Sequence, residues 1–390
     1  MDMEHLGLRS TGGAEAVLGL QPNSTMSIAY HALFGSHNDI TLLEIDETLI
    51  PDILQQRVTI RGQPDEDAVL CTQSKTYALK YVGTSNSVLL IPPSDKAVKE
   101  CNDINIPVAS VIKVAPGIME VVEVAPKLDK LKFLLSQNPY SFDEASDMDI
   151  SHERMNTGLF SWDNLVDEVQ ASNEELRSGL QALSAVEIYG YWRVLDDKYM
   201  DMILNILLHD VILNDWSFNA LNEDEVLRAL ETDGFPCNIA MHCLKVYGNK
   251  VEEHVGGSCV WRLEERRICV HFAREILKSS KMKMEKFMAE WIRKVPDGMH
   301  ASFDMLEGEV LTEKLGIETL IYHFSVSSLP STPAERFKIL FRERQKWEWK
   351  DLQPYIRDLR VPGLSAEAIL LKYTRRTQPT VDAEPIFSAR

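Results

Sequence analysis

The sequence has none of the glycine-rich loops that bind nucleotide phosphates. Neither G-x-G-x-x-G nor G-x-x-x-x-G-K-[S/T] occurs in its 390 residues, which argues against nucleotide binding by this chain. It also lacks the run of about 18 apolar residues that a membrane span requires. Its first residues, MDMEHLGLRSTGG, do not show the basic and then apolar layout of a secretory signal. We therefore expect a protein of a reducing compartment that does not cross a membrane.

Residues with catalytic or metal-binding patterns are also scarce. The six cysteines are scattered and mostly in apolar surroundings, which predicts buried free thiols. Cys237, His242 and Cys243 come nearest to a metal motif, but their spacing fits no common zinc pattern and they share one amphipathic segment. The sequence therefore predicts no metal, no cofactor and no catalytic residues. A hydrolase or transferase with an unfamiliar site is the weaker alternative.

An overall positive charge is absent too, since the formal net charge is −18. Such acidity argues against a protein that coats nucleic acid along its whole surface. Residues 331–376 are the exception, with eleven basic and six acidic side chains, and Trp347 and Trp349 lie among the basic ones. Mixed aromatic and basic groups can bind nucleic acid, although a buried tryptophan pair and a solvated basic face would give the same pattern. The DNA-binding candidates are Arg342, Arg344, Lys346, Lys350, Arg357, Lys372, Arg375 and Arg376.

What the sequence does contain, from Val58 to Pro92, is a pattern of short strands. We predict four strands in an antiparallel meander, with the last two separated by a turn at Gly83–Asn86: Val58–Arg61, Ala68–Cys71, Thr76–Tyr81 and Val88–Ile91. The last strand is apolar on both faces and needs cover on both, which we expect another chain to supply. The predicted partner-binding residues are Val69, Leu70, Tyr77, Leu79, Tyr81, Val88, Leu89, Leu90 and Ile91.

The sequence divides into a β-rich and a helical part near Pro126. Residues 1–25 are expected to be poorly ordered. Residues 26–124 form the predicted partner-binding β region, in which Val108–Val114 and Ile118–Val124 make a hairpin that turns at Ala115-Pro116-Gly117. The hydrophobic period then changes from two residues to about 3.6. The fold class is therefore α+β and multidomain.

The helical part repeats an order of helices followed by a β-hairpin, which is the layout of a winged helix. Ser161, Ser172 and Asn222 are predicted helix N-caps, and Asp197–Leu213 and Trp349–Leu359 are among the predicted helices. We predict a first winged helix at 127–196, a second region at 197–328 that has room for two units, a last one at 331–376, and a loose tail at 377–390.

Several short motifs, taken in order, resemble the Dcc family of sister-chromatid cohesion proteins. The resemblance extends from about Asp39 to Tyr373 and is carried by Val58–Gly62, Ala68–Cys71, Lys75–Tyr77, Thr84–Asn86, Leu90–Pro92, Asn138–Tyr140, Gly190–Arg193, His242–Lys245, Val295–Met299 and Pro354–Ile356.

The resemblance implies a non-catalytic subunit of an alternative clamp loader of the replication-factor-C type, acting at replication forks in the nucleus. In such a complex the β region would form an intermolecular β-barrel with a small cohesion subunit and the C-terminal tail of the large AAA+ subunit. The tandem winged helices would contact DNA and the catalytic region of DNA polymerase epsilon, the latter through residues near 127–196. The sliding clamp would be an indirect partner. The alternative is a winged-helix DNA-binding regulator that acts alone.

Overall fold

The structure is a computed structural model. It describes residues 23, 27–32, 34–35, 40–91, 98–100, 107–142, 158–255, 258–278, 281–378, 380 and 383–390. Apart from Asn23, the segment 1–25 that we expected to be poorly ordered lies outside these residues. The chain divides into two compact units. The first comprises Met1–Ile60, Asp65–Thr72 and Tyr77–Glu123, and the second comprises Arg61–Pro64, Gln73–Thr76 and Val124–Arg390.

Among its described residues, the β-rich part contains two sheets and one short α-helix, α1 (Ile50–Leu54). Its strands are β1 Ser27–Tyr30, β2 Leu43–Glu44, β3 Thr59–Arg61, β4 Val69–Cys71, β5 Thr76–Leu90, β6 Val98–Glu100, β7 Pro107–Val111 and β8 Lys113–Val124. A five-stranded sheet has the order β2-β8-β5-β4-β3, and a three-stranded sheet has the order β1-β7-β6. Each sheet contains a parallel pairing, β2 with β8 and β1 with β7, which an antiparallel meander alone does not predict.

Two predicted turns in this region are wrong. Strand β5 continues through Gly83–Asn86, and β8 continues through Ala115-Pro116-Gly117. The two strands are neighbours in the sheet, and a Cβ on Gly117 would lie only 2.4 Å from the Val82 carbonyl oxygen. Glycine at 117 therefore permits close approach of a neighbouring backbone, and pairing along the strands outweighs the turn-forming composition.

The second unit repeats one order of elements four times. Each repeat has a helix, a short strand or bridge, two more helical segments and a hairpin, and the first strand pairs with the last. The helices are α2 Leu128–Ser136, α3 Trp162–Glu168, α4 Asn173–Ala182, α5 Asp197–Leu213, α6 Glu223–Thr232, α7 Cys237–Tyr247, α8 Glu265–Leu277, α9 Met284–Lys294, α10 Pro333–Glu343, α11 Trp349–Leu352 and α12 Ala366–Tyr373, with single 3₁₀ turns at Phe303–Leu306, Val326–Ser328 and Gln353–Tyr355.

The hairpins of the repeats include two strands that the sequence did not indicate, Gly248–Val255 and Val310–Leu315. The strands are β9 Val186–Ile188, β10 Tyr191–Arg193, β11 Leu221–Asn222, β12 Gly248–Val255, β13 Ser258–Leu263, β14 Met282–Lys283, β15 Val310–Leu315, β16 Glu318–His323, β17 Lys346–Glu348, β18 Thr374–Thr377 and β19 Ile386–Ala389. Three sheets have the orders β11-β13-β12, β14-β16-β15 and β17-β19-β18. In the first repeat a single bridge from Phe160 to Trp192 takes the place of the first strand.

Local sequence signals account for several helix starts. Ser161 and Ser172 each accept a hydrogen bond from a backbone N–H three residues later and form capping boxes with Asn164 and Glu175. The Asn222 side chain caps α6 by accepting hydrogen bonds from the backbone N–H groups of Asp224 and Glu225. These N-caps were predicted, because capping depends on residues only three positions apart.

The predicted loose tail at 377–390 is wrong. Residues Ile386–Ala389 form β19, the central strand of the last sheet, and place Phe387 opposite Trp347. Both rings are buried, with 7% and 1% of their surfaces exposed. The predicted helix at Trp349–Leu359 is also shorter than expected, since it ends at Leu352 and continues as a 3₁₀ turn.

Three hydrophobic cores lie among the described residues of the second unit, and the smallest of them, around Leu131, Leu165 and Leu176, belongs to the first repeat. Of the other two, one includes Tyr199, Leu207, Phe272 and Trp291 and extends over the second and third repeats, while the other surrounds Trp347 in the last repeat. The fold is thus α+β. Among the helices of the described residues, none combines the length and apolar composition needed to cross a bilayer.

Candidate interaction surfaces

Two of the predicted DNA-binding residues lie on the outer face of the last sheet, on the two strands that flank its central strand. Lys346 and Arg375 are both directly opposite Ser388 of β19, one on each side of it. Both side chains are exposed. Because Trp347 and Phe387 occupy the inner face, alternation along the strands directs Lys346 and Arg375 to solvent. Trp347 itself donates its indole N–H to the Leu340 carbonyl and is buried, so its ring is not on the surface.

Three other DNA-binding candidates are already paired with carboxylates of the same chain. Arg344 donates to Asp351 at 3.0 Å and also to the Thr312 carbonyl. Lys350 lies 2.8 Å from Glu348, and this hydrogen bond raises the pKa of the lysine. Arg357 lies 3.2 Å from a carboxylate oxygen of Glu307. An anion that bound here would have to compete with these carboxylates.

The remaining candidates differ in their surroundings. Arg342 is exposed at the end of α10. Lys372 lies over the ring of Tyr373 at 5.4 Å, and Arg376 donates to the side chain of Gln378 at 3.0 Å. The exposed basic group is therefore smaller than the sequence suggested and centres on Lys346 and Arg375.

The predicted partner-binding residues of the β region differ in burial. Val69, Leu70 and Tyr77 are buried within the chain, and Leu79 is partly buried. Residues 88–91 are also partly buried, whereas Tyr81 is 59% exposed. Of the predicted set, Tyr81 and the second half of β5 offer surface to another molecule.

The first unit exposes many large apolar side chains that the sequence did not single out. Of the 21 such side chains among the described residues, ten lie in this unit, although it is much the smaller of the two: Ile28, Tyr30, Phe34, Leu43, Leu54, Ile60, Tyr81, Val82, Val114 and Val122. Within the described part of this unit, the buried cluster consists of Leu49, Leu70 and Tyr77, with a few partly buried neighbours. Large exposed apolar surfaces on a soluble domain mark interaction sites.

Arg61, the last residue of β3, and Thr76, the first residue of β5, belong to the second unit and make polar contacts within it. Thr76 donates its hydroxyl to Glu175 at 2.6 Å and accepts the Ser172 N–H at 2.9 Å, so it joins the capping box of α4. The Arg61 guanidinium is buried and donates to the Ala171 carbonyl at 2.5 Å and to Asn173 at 2.7 Å. Ser172 was predicted as an N-cap, but nothing in the sequence indicated that the distant Thr76 takes part in the same cap.

One cluster joins ionisable groups from the second and third repeats. His271 on α8 lies 3.1 Å from Asp201 and 2.9 Å from the Tyr247 hydroxyl. Donor atoms of Asp201, His271 and Glu275 are all within 4.8 Å of one another. The Lys294 ammonium lies 2.5 Å from Glu275 and already balances that carboxylate. The arrangement is therefore a polar network that joins four helices.

The cysteine and histidine residues noted in α7 do not gather into a site. His242 and Cys243 are buried, whereas Cys237 is exposed, contrary to the expectation of a buried thiol. Burial, with a contribution from Lys245, lowers the pKa of His242 to about 4, and burial raises the pKa of the Cys243 thiol. A neutral histidine and a protonated thiol at physiological pH are typical of a hydrophobic core.

A shallow groove near this network has a basic lining. It has a volume of about 270 Å³ and includes Arg266, Arg267 and Arg274. Arg267 donates to carbonyls at the end of α7, and Arg274 makes two hydrogen bonds of 2.9 and 2.7 Å to Glu309. These arginines serve the packing of the repeats.

Residues 40–356 match the protein family described as "Sister chromatid cohesion protein Dcc1". The chain belongs to this family. It is 35% identical to the human "Sister chromatid cohesion protein DCC1" over 86% of this chain and 85% of the relative. It is 33% identical to the Xenopus laevis protein of that name, over 94% and 95% of the two chains. The Saccharomyces cerevisiae protein is 23% identical over 90% and 97%.

Membership of the Dcc1 family confirms the resemblance that the motifs indicated. The family description names sister chromatid cohesion and no catalytic activity, in agreement with the prediction that the chain is not an enzyme.

Proposed function

We propose that this Dcc1-family chain acts in sister-chromatid cohesion as a non-catalytic scaffold subunit of an alternative replication-factor-C-type clamp loader in the nucleus. Its β region binds the small cohesion subunit and the C-terminal tail of the large AAA+ subunit. Its helical repeats bind the catalytic region of DNA polymerase epsilon and make limited contact with DNA. The sliding clamp is reached through the other subunits.

The observation that carries this proposal is the exposed apolar surface of the first unit. Ten large apolar side chains are exposed there, and the buried cluster around Leu49 is small. Removing apolar surface from water contributes about 25 cal/mol per Å², so this surface favours association with other chains. Strand addition at the edge strands β1 and β3 would supply main-chain hydrogen bonds as well, and partner strands there would complete an intermolecular β-barrel.

The repeated topology supports a tandem array of four winged helices. A helix, a strand, two helical segments and a hairpin, with the first strand beside the last, is the order of a winged helix. The four units of this proposal are residues 128–193, 197–263, 265–323 and 333–389. The predicted second region, at 197–328, would then contain two winged-helix units. The segment 377–390, predicted as a loose tail, would belong to the fourth unit.

The assembly role is tested with the full chain and single lysine substitutions of exposed residues. Ile28 and Ile60 lie on the edge strands β1 and β3 and are 62% and 64% exposed, so Ile28→Lys and Ile60→Lys remove little internal packing. We expect both to reduce capture of the co-expressed small subunit and AAA+ tail. Ile317→Lys is the matched control, because Ile317 is fully exposed in the second unit. Equal capture by all variants would contradict the proposal.

The polymerase contact is tested in the same way. Phe133 on α2 of the first repeat is 62% exposed, and Ile212 on α5 of the second repeat is 64% exposed. If the first repeat binds the polymerase, Phe133→Lys reduces capture of its catalytic region, whereas Ile212→Lys does not. The opposite ranking would assign the contact to another repeat.

A further inference from the structure

The segment between the third and fourth repeats carries an exposed threonine in an unusual sequence context. Thr332 precedes Pro333, and this is the only Ser-Pro or Thr-Pro pair in the sequence. Leu329 and Thr332 both have extended backbone angles, with ψ of 149° and 119°. Thr332 is exposed at the N-cap position of α10, and its side chain makes no capping hydrogen bond. An extended, accessible hydroxyl followed by proline is what a proline-directed protein kinase requires of its substrate.

The residue next to Thr332 is held by a carboxylate from a distant part of the second unit. Ser331 donates its backbone N–H to both carboxylate oxygens of Asp129, at 3.1 and 3.0 Å, and its hydroxyl to one of them at 2.7 Å. The Lys132 ammonium donates to the Ser327 carbonyl. Asp129 and Lys132 both lie on α2, so this helix of the first repeat is fastened to the segment that precedes the fourth.

We propose that Thr332 is a phosphorylation site of a proline-directed protein kinase and that the phosphate releases α2 from this segment. The Thr332 Oγ attacks the γ-phosphorus of ATP and forms a new P–O bond. The bond from that phosphorus to the bridging oxygen of ADP breaks, and a base of the kinase accepts the hydroxyl proton. The products are phosphothreonine and ADP.

The effect follows from the charges around Ser331. A phosphothreonine carries a charge of about −1.5 to −2 at neutral pH. Ser331 contacts Asp129 directly and consecutive Cα atoms are about 3.8 Å apart, so a phosphate on the next residue is on the order of 10 Å from Asp129, close to the screening length of about 8 Å. Like charges at this separation repel, which weakens the hydrogen bonds of Ser331 to Asp129.

Two groups near Thr332 would attract the phosphate and so oppose the release of α2. The N-terminus of α10 attracts an anion, but Glu335 already occupies its first turn. Lys132 can approach the phosphate only by leaving the Ser327 carbonyl, which would itself break the second contact. Arg336 is not available, because its buried guanidinium donates to the Pro330 and Tyr355 carbonyls and to Asp358. Release of α2 is therefore the expected outcome.

The experiment uses the full chain, a proline-directed kinase and Mg-ATP. Mass spectrometry locates the phosphate, and hydrogen exchange is followed in peptides covering 128–136 and 325–336. We expect phosphate on Thr332 and about three- to tenfold faster exchange in both peptides. The Thr332→Val chain, treated identically, should show neither change. Absence of phosphate on Thr332, or phosphate on Thr332 with unchanged exchange, would overturn the proposal.

A second variant separates the electrostatic effect from a general loosening. Asp129→Asn keeps the size of the side chain and one acceptor oxygen but removes its charge. In this chain, phosphorylation of Thr332 should leave the exchange of both peptides almost unchanged. An acceleration as large as in the natural chain would show that repulsion from Asp129 is not the cause.

Discussion

Trp347 and Phe387 face each other across β17 and β19, forty residues apart in the sequence, and close the core of the last repeat. Phe387 also lies 5.5 Å from the ring of Trp349. The final strand is thus part of the hydrophobic core of this repeat.

Replacing Phe387 by alanine should therefore destabilise the last repeat. The side chain is almost fully buried, and removal of a buried phenylalanine costs about 3 kcal/mol or more. Hydrogen exchange in residues 333–389 is the suitable measurement, because a chain of four repeats need not unfold in one step. Ser388→Ala, one residue away on the outer face, is the control and should have little effect. Similar exchange in both variants would contradict the role given to β19.

The sequence was informative wherever structure depends on near neighbours. Helix α5 has the predicted bounds Asp197–Leu213, because its apolar periodicity and its cap at Asp196 are local. The two wrong turns and the wrong tail have another cause. Strand β5 pairs with β8, and β19 pairs with β17, so each pairing joins segments that are far apart in the chain. The local amino-acid composition near Gly83 or Phe387 does not indicate such pairing.

Prediction of the candidate surfaces from the sequence was limited in the same way. The basic character of residues 331–376 was evident, but the sequence could not show that Arg344 is held by Asp351 while Lys346 is exposed. Nor could it show that Thr76 completes the cap of α4 near Ser172. Such contacts are made by tertiary packing between distant segments.

Gly117→Ala should destabilise the five-stranded sheet. The added Cβ would lie 2.4 Å from the Val82 carbonyl oxygen and 2.8 Å from the ring of Tyr81, and a backbone atom cannot move away cheaply. Strain of this kind typically costs about 1–3 kcal/mol. Exchange in residues 76–90 and the yield of soluble chain measure the effect.

Gly83→Ala provides a matched control on the neighbouring strand. A Cβ at this position meets nothing closer than 3.7 Å, which is an ordinary contact. This variant should therefore resemble the natural chain. If the two alanine variants behaved alike, close approach at Gly117 would not explain the effect.

Asp210→Asn should stabilise the second unit at neutral pH. Burial, followed by the nearby Asp233 carboxylate, raises the pKa of Asp210 above its usual range. A carboxyl with a raised folded-state pKa stabilises the fold fully at pH values below its unfolded pKa, and this contribution is lost as pH rises through the folded pKa. Asparagine avoids the buried charge, so the variant should be more stable at pH 7.5, by less than about 1 kcal/mol because solvent screens part of the effect.

The more specific measurement is the pH dependence of the difference in unfolding free energy between Asp210→Asn and the natural chain. Urea unfolding followed by tryptophan fluorescence should show the advantage of Asp210→Asn shrinking as pH falls towards 4. Asp215→Asn is the control, since Asp215 is exposed after the same helix and its positive φ of 57° suits asparagine. A difference for Asp210→Asn that did not change with pH would exclude the ionisation of Asp210 as its origin.

The double variant Lys346→Glu, Arg375→Glu should weaken binding of duplex DNA while leaving the fold intact. Both side chains are exposed on the outer face of the last sheet, so their reversal removes no core contact. Each lost phosphate contact lowers the slope of log K against log salt by about 0.9, so a titration should show a slope smaller by about 2.

A control must separate the effect of the change in net charge from the effect of the positions at which the charges are reversed. Lys245→Glu, Lys286→Glu makes the same change in net charge at exposed positions in α7 and α9 and should leave the salt slope unchanged. Arg344→Glu is informative in another way, because Arg344 bonds Asp351 and the Thr312 carbonyl, and its reversal should destabilise the last repeat. If both double variants bound DNA like the natural chain, Lys346 and Arg375 would not be a DNA-contacting pair, and the role of the fourth repeat would have to be sought in binding to protein partners.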